Sequence, residues 1–150
     1  MENKHLSPGF FIRLFLVAFS LNWAWEMAQM PAYTEMATSP WWQTLPVCTF
    51  ATLGDAALTM AIYGLGALAA GRLDWGLNPR WNVYATAAIL SAGCAVAIEW
   101  WAVGSGRWSY DDRMPIVPLV KVGLLPLLQL PLLVPAALGI AAWWTRRKRD

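Results

Sequence analysis

The feature that most constrains this chain is a series of four apolar stretches, each long enough to cross a membrane. A membrane-spanning helix needs about 20 predominantly apolar residues. Hydrophobic residues make up 58% of the 150 residues and charged residues only 13%, which is far from the composition of a soluble domain. The four stretches leave no length for a separate soluble domain. We therefore predict one all-α domain over residues 1–150, an integral membrane bundle of about four transmembrane helices.

The four predicted spans cover residues 9–30, 44–70, 81–103 and 116–144. Proline, glycine or polar residues follow the first three and mark their ends. The last span is proline-rich, and each proline removes a backbone hydrogen-bond donor. A continuous kinked helix, a broken helix and a short re-entrant piece before Leu124 all fit this pattern.

The basic residues predict the orientation of the bundle. With four spans, both termini share a side with the turn between the second and third spans. That side carries more basic residues than the other, so the positive-inside rule predicts cytoplasmic termini. The residues on the terminal side are Lys4, Arg72, Arg80 and the basic run 146–149, against Arg107 and Arg113 opposite.

Tryptophans and cysteines add little chemistry to the prediction. Six of the eleven tryptophans fall at predicted membrane interfaces. The basic run 146–149 follows two of them, and this order is typical of a membrane-surface anchor and not of a nucleic-acid patch. Cys48 and Cys94 lack the spacing of a redox or zinc motif. We predict no metal, no cofactor and no nucleic-acid partner. The six interfacial tryptophans are Trp41, Trp42, Trp75, Trp81, Trp143 and Trp144.

Polar side chains of all four spans fall in the half of the bilayer that lies opposite the termini. Helical spacing places several of them on one face of each helix. At 1.5 Å per residue, Asp55 is expected to be the deepest, about 15 Å from the start of the second span. The polar residues are Asn22, Glu26 and Gln29 on the first span, Asp55 on the second, Glu99 on the third, and Lys121 and Gln129 on the last.

Carboxyl groups inside a membrane are costly, by about 2.5–3.5 kcal/mol each on insertion scales. Three acids on three helices exceed what interhelical hydrogen bonding alone requires, so we predict that Glu26, Asp55 and Glu99 form a functional pocket. Trp25, Trp100 and Trp108 adjoin these acids, and their ring faces suit a cationic group. The alternative is that the acids only hold the helices together.

Short motifs resemble known membrane enzymes. The run 22–26 looks like the Asn-x-x-Trp-Glu element of the membrane-embedded terpenoid cyclases of fungal meroterpenoid pathways. The loop 106–110, which ends in Trp108, Ser109 and Tyr110, is similar to the Trp-x-Tyr loop of small heterodimeric lycopene cyclases. Carotenoid hydratases also place an acid before such a loop, as Glu99 is placed here. The resemblance implies protonation of a carbon–carbon double bond within the bilayer.

Two further comparisons of motifs refine this expectation. The lycopene cyclases carry Pro-Leu-Glu-Glu where residues 126–129 here read Pro-Leu-Leu-Gln, which argues against lycopene itself as the substrate. The chain also resembles an uncharacterised family of bacterial membrane proteins that share Asn-x-x-Trp-Glu-x-x-Gln-x-Pro, as in residues 22–31. That resemblance implies a bacterial cytoplasmic (inner) membrane.

Three functions follow as hypotheses. The first is an isoprenoid cyclase, isomerase or hydratase, with Asp55 as proton donor and with Glu26 and Glu99 tuning it or taking the proton back. Its substrate-binding residues would be Asn22, Trp25, Gln29, Trp100, Trp108, Tyr110, Lys121 and Gln129. The second is transport or binding of a proton or small cation by the three acids. The third is a non-catalytic assembly or accessory subunit. The oligomeric state is left open, and a homo-oligomer or a complex with a membrane partner subunit is an alternative to a monomer.

Overall fold

The protein is a bundle of four long helices in a computed structural model that describes residues 8–77 and 80–147. The long helices are apolar enough to cross a membrane, which confirms the predicted all-α, multi-pass architecture. In chain order the elements are α1 (Pro8–Gln29), a 3-10 turn (Met30–Ala32), α2 (Thr34–Ala37), α3 (Trp41–Ala70), α4 (Trp81–Gly104), β1 (Ile116–Val117), β2 (Val122–Gly123) and α5 (Leu124–Arg147).

The first three predicted spans agree with α1, α3 and α4 to within three residues at each end. The largest difference is the start of α3, which begins at Trp41 and not at Thr44. Pro40 precedes this start in an extended conformation, with φ −62° and ψ 145°. Proline cannot donate a backbone hydrogen bond, and it restricts the residue before it, so helices commonly begin just after such a position.

The predicted start of the last span at Ile116 is wrong. Residues 116–123 form a two-stranded antiparallel hairpin in which Ile116 pairs with Gly123 and Val117 with Val122. The left-handed backbone of Lys121, at φ 55°, turns the chain there. Apolar residues in a short hairpin and in a membrane helix look alike by composition, which explains the error.

The α5 helix is continuous from Leu124 to Arg147, which decides between the alternatives that its prolines left open. Pro126 lies in the first turn, where a missing N–H has no helical partner to lose. Pro131 and Pro135 lie inside the helix, and each frees one carbonyl of the preceding turn.

The helices pack in the order α3, α1, α5, α4. The first helix packs along both α3 and α5, and α5 packs along α4, whereas α3 and α4 touch each other only lightly. We call the boundary between α3 and α4 the seam. The end of the bundle at Pro8 and Arg147 is called the terminal end, and the end at Gln29 and Leu124 the acidic end.

The terminal half of the bundle is tightly packed. Phe10, Leu14, Ile62 and Leu138 are fully buried there, together with Tyr63. Tyr63 also donates its hydroxyl to the carbonyl of Leu73 in the loop between α3 and α4. This half of the bundle is therefore a closed apolar core.

Trp75 corrects one of the interfacial assignments. Its ring is 5% exposed and packs on Gly66, and its indole N–H donates to the carbonyl of Tyr63 at 3.0 Å. The ring thus fixes the α3–α4 loop against α3. The other five tryptophans predicted at interfaces are exposed.

Candidate functional site

One face of α1 is polar near the acidic end. Asn22, Glu26 and Gln29 share this face because they are three or four residues apart, and all three are buried. Trp25 lies beside them and donates its indole N–H to Gln29 Oε1 at 3.1 Å. Asn22 also donates to the backbone carbonyl of Ala18 at 2.8 Å. The α1 helix therefore presents hydrogen-bonding groups to the interior of the bundle.

Gln129 of α5 connects three helices through its side-chain amide. Its Nε2 lies 3.0 Å from Asn22 Oδ1, 3.0 Å from Glu26 Oε1 and 2.8 Å from Asp55 Oδ2. Its Oε1 accepts a hydrogen bond from Gln29 Nε2 at 3.0 Å. An amide nitrogen carries two hydrogens, so Gln129 donates to two of its three acceptors at a time. The amide can thus change acceptors when the charge of a neighbouring carboxyl changes.

Glu26 and Asp55 form a carboxyl pair. Glu26 Oε1 and Asp55 Oδ2 lie 3.0 and 2.8 Å from the same nitrogen, Gln129 Nε2, and Gln29 Nε2 also donates to Glu26 Oε1 at 2.8 Å. Two adjacent negative charges would repel strongly in a site with little water. The pair is therefore arranged to hold one proton.

Asp55 lies level with Glu26 and Gln129, which corrects the prediction that it is the deepest acid. The reason is the length of α3, which has 30 residues against 22 in α1. The extra turns of α3 lie at the acidic end, before Asp55. Counting depth from the start of that helix therefore overestimated how far Asp55 lies inside the bundle.

Glu99 of α4 has its own donors in the loop that follows this helix. Tyr110 donates its hydroxyl to Glu99 Oε2, and the indole N–H of Trp108 lies 3.4 Å from the same oxygen. Burial and the hydrogen bond with Glu99 raise the pKa of Tyr110, so its phenol keeps its proton and remains a donor. Glu99 thus accepts hydrogen bonds only, which is the arrangement of a carboxylate and suits a proton acceptor.

A cavity of about 620 Å³ joins the carboxyl pair to Glu99. It lies at the seam, between α3 and α4, with α1 and α5 behind it. Its volume is within the range of small-molecule sites. Most of its wall is apolar and comes from α3 and α4, including Val47, Ala51, Leu58, Ala95 and Ile98, while Glu26, Gln29, Asp55, Glu99 and Gln129 supply the polar groups.

Two loops cover the acidic end of this cavity, and we call residues 30–37 and 105–123 the loop layer. Tyr33 and Tyr110 form a β-bridge between the two loops, and Asp111 N donates to Ala32 O at 3.0 Å. Ser109 donates its hydroxyl to Glu35 at 2.9 Å. The loop layer therefore separates the cavity from water on that side.

Tyr33 is the residue of the first loop whose ring lines the cavity, and it is 5% exposed. Its burial, followed by the nearby acids Glu99, Glu26 and Asp55, raises the pKa of its phenol. Its ring also contacts Trp108 edge-on, with 6.2 Å between ring centroids. Tyr33 is therefore a neutral aromatic wall of the cavity and not a base.

The structure brings together most of the residues that the sequence selected. The cavity is lined by Glu26, Gln29, Asp55, Glu99, Trp108 and Gln129, while Asn22, Trp25 and Tyr110 contact these residues from outside it. Their catalytic and binding roles stay predictions.

Trp100 and Lys121 do not belong to the site. Trp100 is 58% exposed and donates its indole N–H to the carbonyl of Val120 at 2.7 Å. Lys121 is exposed in the hairpin and not on the polar face of the last helix, because that helix begins only at Leu124. Lys121 was predicted on a helix and Trp100 on an inward face, and the structure has neither arrangement.

Two lining aromatic residues were missed. Trp101, adjacent to Trp100, lines the cavity in its place and lies 4.8 Å beneath the guanidinium of Arg107. Tyr33 lies two residues after Pro31, just beyond the 3-10 turn that follows α1, and its closeness in sequence to the helix end that carries Glu26 was the available signal.

Comparison of the chain with protein-family models, with curated proteins and with solved structures gives no match. The case for a function therefore depends on the geometry of the cavity and its carboxyl groups.

Proposed function

We propose that this protein is a membrane enzyme that cyclises or isomerises an isoprenoid chain by adding a proton to a carbon–carbon double bond. The observation that carries the proposal is the carboxyl pair of Glu26 and Asp55 at the wall of an apolar cavity. Protonation of an alkene needs a neutral carboxylic acid in a site with little water, because water would trap the carbocation.

The seam offers such a substrate a route from the bilayer. The part of α3 that faces the cavity is built mainly from small residues, including Ala51, Gly54, Ala57 and Ala61, and these four are exposed. A Cβ atom added at Gly54 would meet no other atom within 4 Å. Because α3 and α4 touch only lightly, an extended hydrocarbon chain can enter between them without passing through water.

The carboxyl pair and Glu99 suit the two proton transfers of such a reaction, one as proton donor and the other as proton acceptor. The acid pair gives its proton to one alkene carbon, the π electrons form the new C–H bond, and the neighbouring carbon becomes cationic. In a cyclisation a second double bond of the same chain attacks that carbon. Glu99 then removes a proton from a carbon next to the final cation, and the electrons of that C–H bond form a new double bond.

This cycle consumes no oxidant, reductant or water. The proton count is restored between turnovers, when Glu99 releases its proton to water and the carboxyl pair takes up a new proton from water. Trp101 and Trp108 line the cavity, and the guanidinium of Arg107 lies over the Trp101 ring. An aromatic face stabilises a cation by about 0.5–2 kcal/mol, and Trp108, which the sequence also selected, would supply such a face.

Two observations disfavour the alternative functions. The packed apolar core of the terminal half, which includes Phe10, Leu14 and Tyr63, offers a proton or cation no polar path beyond the cavity. In the described residues, every buried polar side-chain atom already has a partner within the chain, so these polar faces do not await an accessory partner helix. Within the same residues no three acidic, histidine or cysteine side chains are arranged to hold a metal ion.

The location that we propose is a bacterial cytoplasmic membrane, with both termini in the cytoplasm. The described basic residues of the terminal end include Arg72, Arg80, Arg146 and Arg147, while Lys4, Lys148 and Arg149 lie outside the described residues. At the acidic end, Arg107, Arg113 and Lys121 share the loops with Glu35, Asp111 and Asp112. The excess of positive charge at the terminal end supports this orientation.

Deuterium transfer tests the proposed reaction. Bacterial membranes that contain the protein are incubated in ²H₂O, and the isoprenoid fraction is analysed by mass spectrometry. We expect one carbon-bound deuterium for each turnover, and we expect Asp55→Asn and Glu99→Gln each to abolish this uptake. Asp74→Asn is the matched control, because Asp74 lies in the loop at the terminal end, paired with Arg72, and should leave the uptake unchanged.

The outcome that contradicts the proposal is equally definite. If wild-type protein transfers no deuterium to any lipid, while liposomes that contain it conduct protons in a manner that Glu99→Gln removes, the protein is a transporter. Folding of each variant is checked by its helical circular dichroism in detergent.

A further inference from the structure

A second cavity, of about 460 Å³, lies at the other end of the seam. Gly66 and Trp75 form its buried floor, and the start of α4 forms one wall. It is separate from the acidic cavity, since its lining residues all lie between residues 66 and 86. Binding at this second cavity rests on the proposed orientation of the bundle and is independent of the proposed reaction.

Positive charge is concentrated at this second cavity. Arg72 and Arg80 both line it, and both are exposed. Arg72 uses its Nε to pair with Asp74 at 3.1 Å, which leaves the outer nitrogens of its guanidinium for another acceptor. Arg80 takes part in no ion pair with a described residue. The cavity therefore has a net positive charge.

The remaining lining combines hydrogen-bond donors with apolar surface. Asn82 and Thr86 contribute exposed polar side chains from α4, and Ala69, Ala70 and Val83 contribute apolar atoms. Trp81, 83% exposed, lies between Arg80 and Asn82 in the chain, as expected at the boundary between headgroups and hydrocarbon. The site thus presents guanidinium groups on the water side and small apolar side chains on the lipid side.

We propose that this cavity binds the phosphate headgroup of an anionic phospholipid, with an acyl chain lying along the seam. Arginine guanidinium groups bind phosphate oxygens through paired, charge-assisted hydrogen bonds. Basic pockets between transmembrane helices on the cytoplasmic side are suited to anionic headgroups. The same occupant would hold α3 and α4 in place at the terminal end, where their connecting loop crosses from one helix to the other.

Lipid binding to the purified full-length protein tests the site. Native mass spectrometry in detergent measures the dissociation constants of dioleoylphosphatidylglycerol, which is anionic, and of dioleoylphosphatidylcholine, which is zwitterionic. We expect preference for the anionic lipid. We also expect each of Arg72→Gln and Arg80→Gln to weaken its binding about fivefold, and the double variant about 25-fold.

Two further variants separate charge from folding. The double variant Arg72→Lys/Arg80→Lys keeps the charge but loses the paired hydrogen bonds, so it should bind more weakly than the wild type and more tightly than Arg72→Gln/Arg80→Gln. Arg107→Gln/Arg113→Gln removes the same charge at the acidic end and should bind as the wild type does. The proposal is overturned if Arg72→Gln/Arg80→Gln binds phosphatidylglycerol as tightly as the wild type, or if both lipids bind equally well. It is also overturned if millimolar inorganic phosphate displaces the lipid completely, because the site would then bind a free anion.

Discussion

Replacing Gln129 by leucine tests whether its side-chain amide joins α1, α3 and α5. Leucine has a similar volume and is apolar, so the change removes the hydrogen bonds without leaving a large void. At one time the amide can donate twice and accept once, and interhelical hydrogen bonds in membranes contribute about 0.6 kcal/mol each. We therefore expect the free energy of unfolding to fall by about 2 kcal/mol. The acceptors that lose this amide include both members of the carboxyl pair, Glu26 and Asp55.

The assay is equilibrium unfolding of the purified protein in mixed micelles, with increasing mole fraction of sodium dodecyl sulfate and with circular dichroism as the signal. Gln43→Leu is the matched control, since Gln43 is exposed near the start of α3 and its loss should change stability by less than about 0.5 kcal/mol. If Gln129→Leu is as stable as this control, the Gln129 amide does not join the three helices.

Three other perturbations have definite expected results. Gly54→Leu adds a side chain to the wall of the acidic cavity, at a position where the new Cβ atom has nothing within 4 Å, so it should abolish deuterium uptake while unfolding as the wild type does. Gly93→Leu, whose Cβ atom has equal space but which does not line the cavity, should keep the uptake. Gly66→Ala places a Cβ atom 2.1 Å from the ring of Trp75, and thermal unfolding should show a loss of about 1–3 kcal/mol. Burial acts to raise the pKa of Glu35, but the hydrogen bonds that it accepts from its own backbone and from the facing loop outweigh burial and lower it from its ordinary value of 4.5. Because the pKa of Glu35 is lowered in the folded protein, its contact with Ser109 stabilises the loop layer fully above pH 4.5, and this stabilisation is lost as the pH falls below 4.5. Hydrogen exchange of the loop amides should therefore be faster at pH 3 than at pH 6, after correction for the intrinsic exchange rates.

The long helices and their polar faces could be predicted because membrane helices follow from local composition. Ser91, Ala95, Glu99 and Ala102 share one helical face by spacing alone, and all four are buried in the bundle. The partners of Glu99 could not be derived in the same way, because Tyr110 reaches it through a loop whose path depends on tertiary contacts.

The errors have a common physical cause. Lys121 was placed on a helix because the residues around it are apolar, and composition does not distinguish a short hairpin from the first turns of a span. Trp100 and Trp101 differ by one position, which is a rotation of 100° about the helix axis. Only the packing of α4 on α5 decides which ring faces the cavity. The order of the helices around the bundle, with α3 apart from α4, is likewise a tertiary property.

The opening of the acidic cavity along the seam favours an occupant that comes from the bilayer. The acidic cavity, of about 620 Å³, has a mostly apolar wall and opens along the seam between α3 and α4. A hydrocarbon chain gains apolar contacts in such a space, whereas water finds few hydrogen-bond partners there. Small residues such as Ala51 and Ala57 keep it open toward the bilayer, and only a molecule from the bilayer can fill it with apolar contacts on most sides. In the proposed reaction, the part of that molecule that lies between Asp55 and Glu99 would be a carbon–carbon double bond, which a neutral acid can protonate, whereas a saturated acyl chain offers nothing to protonate.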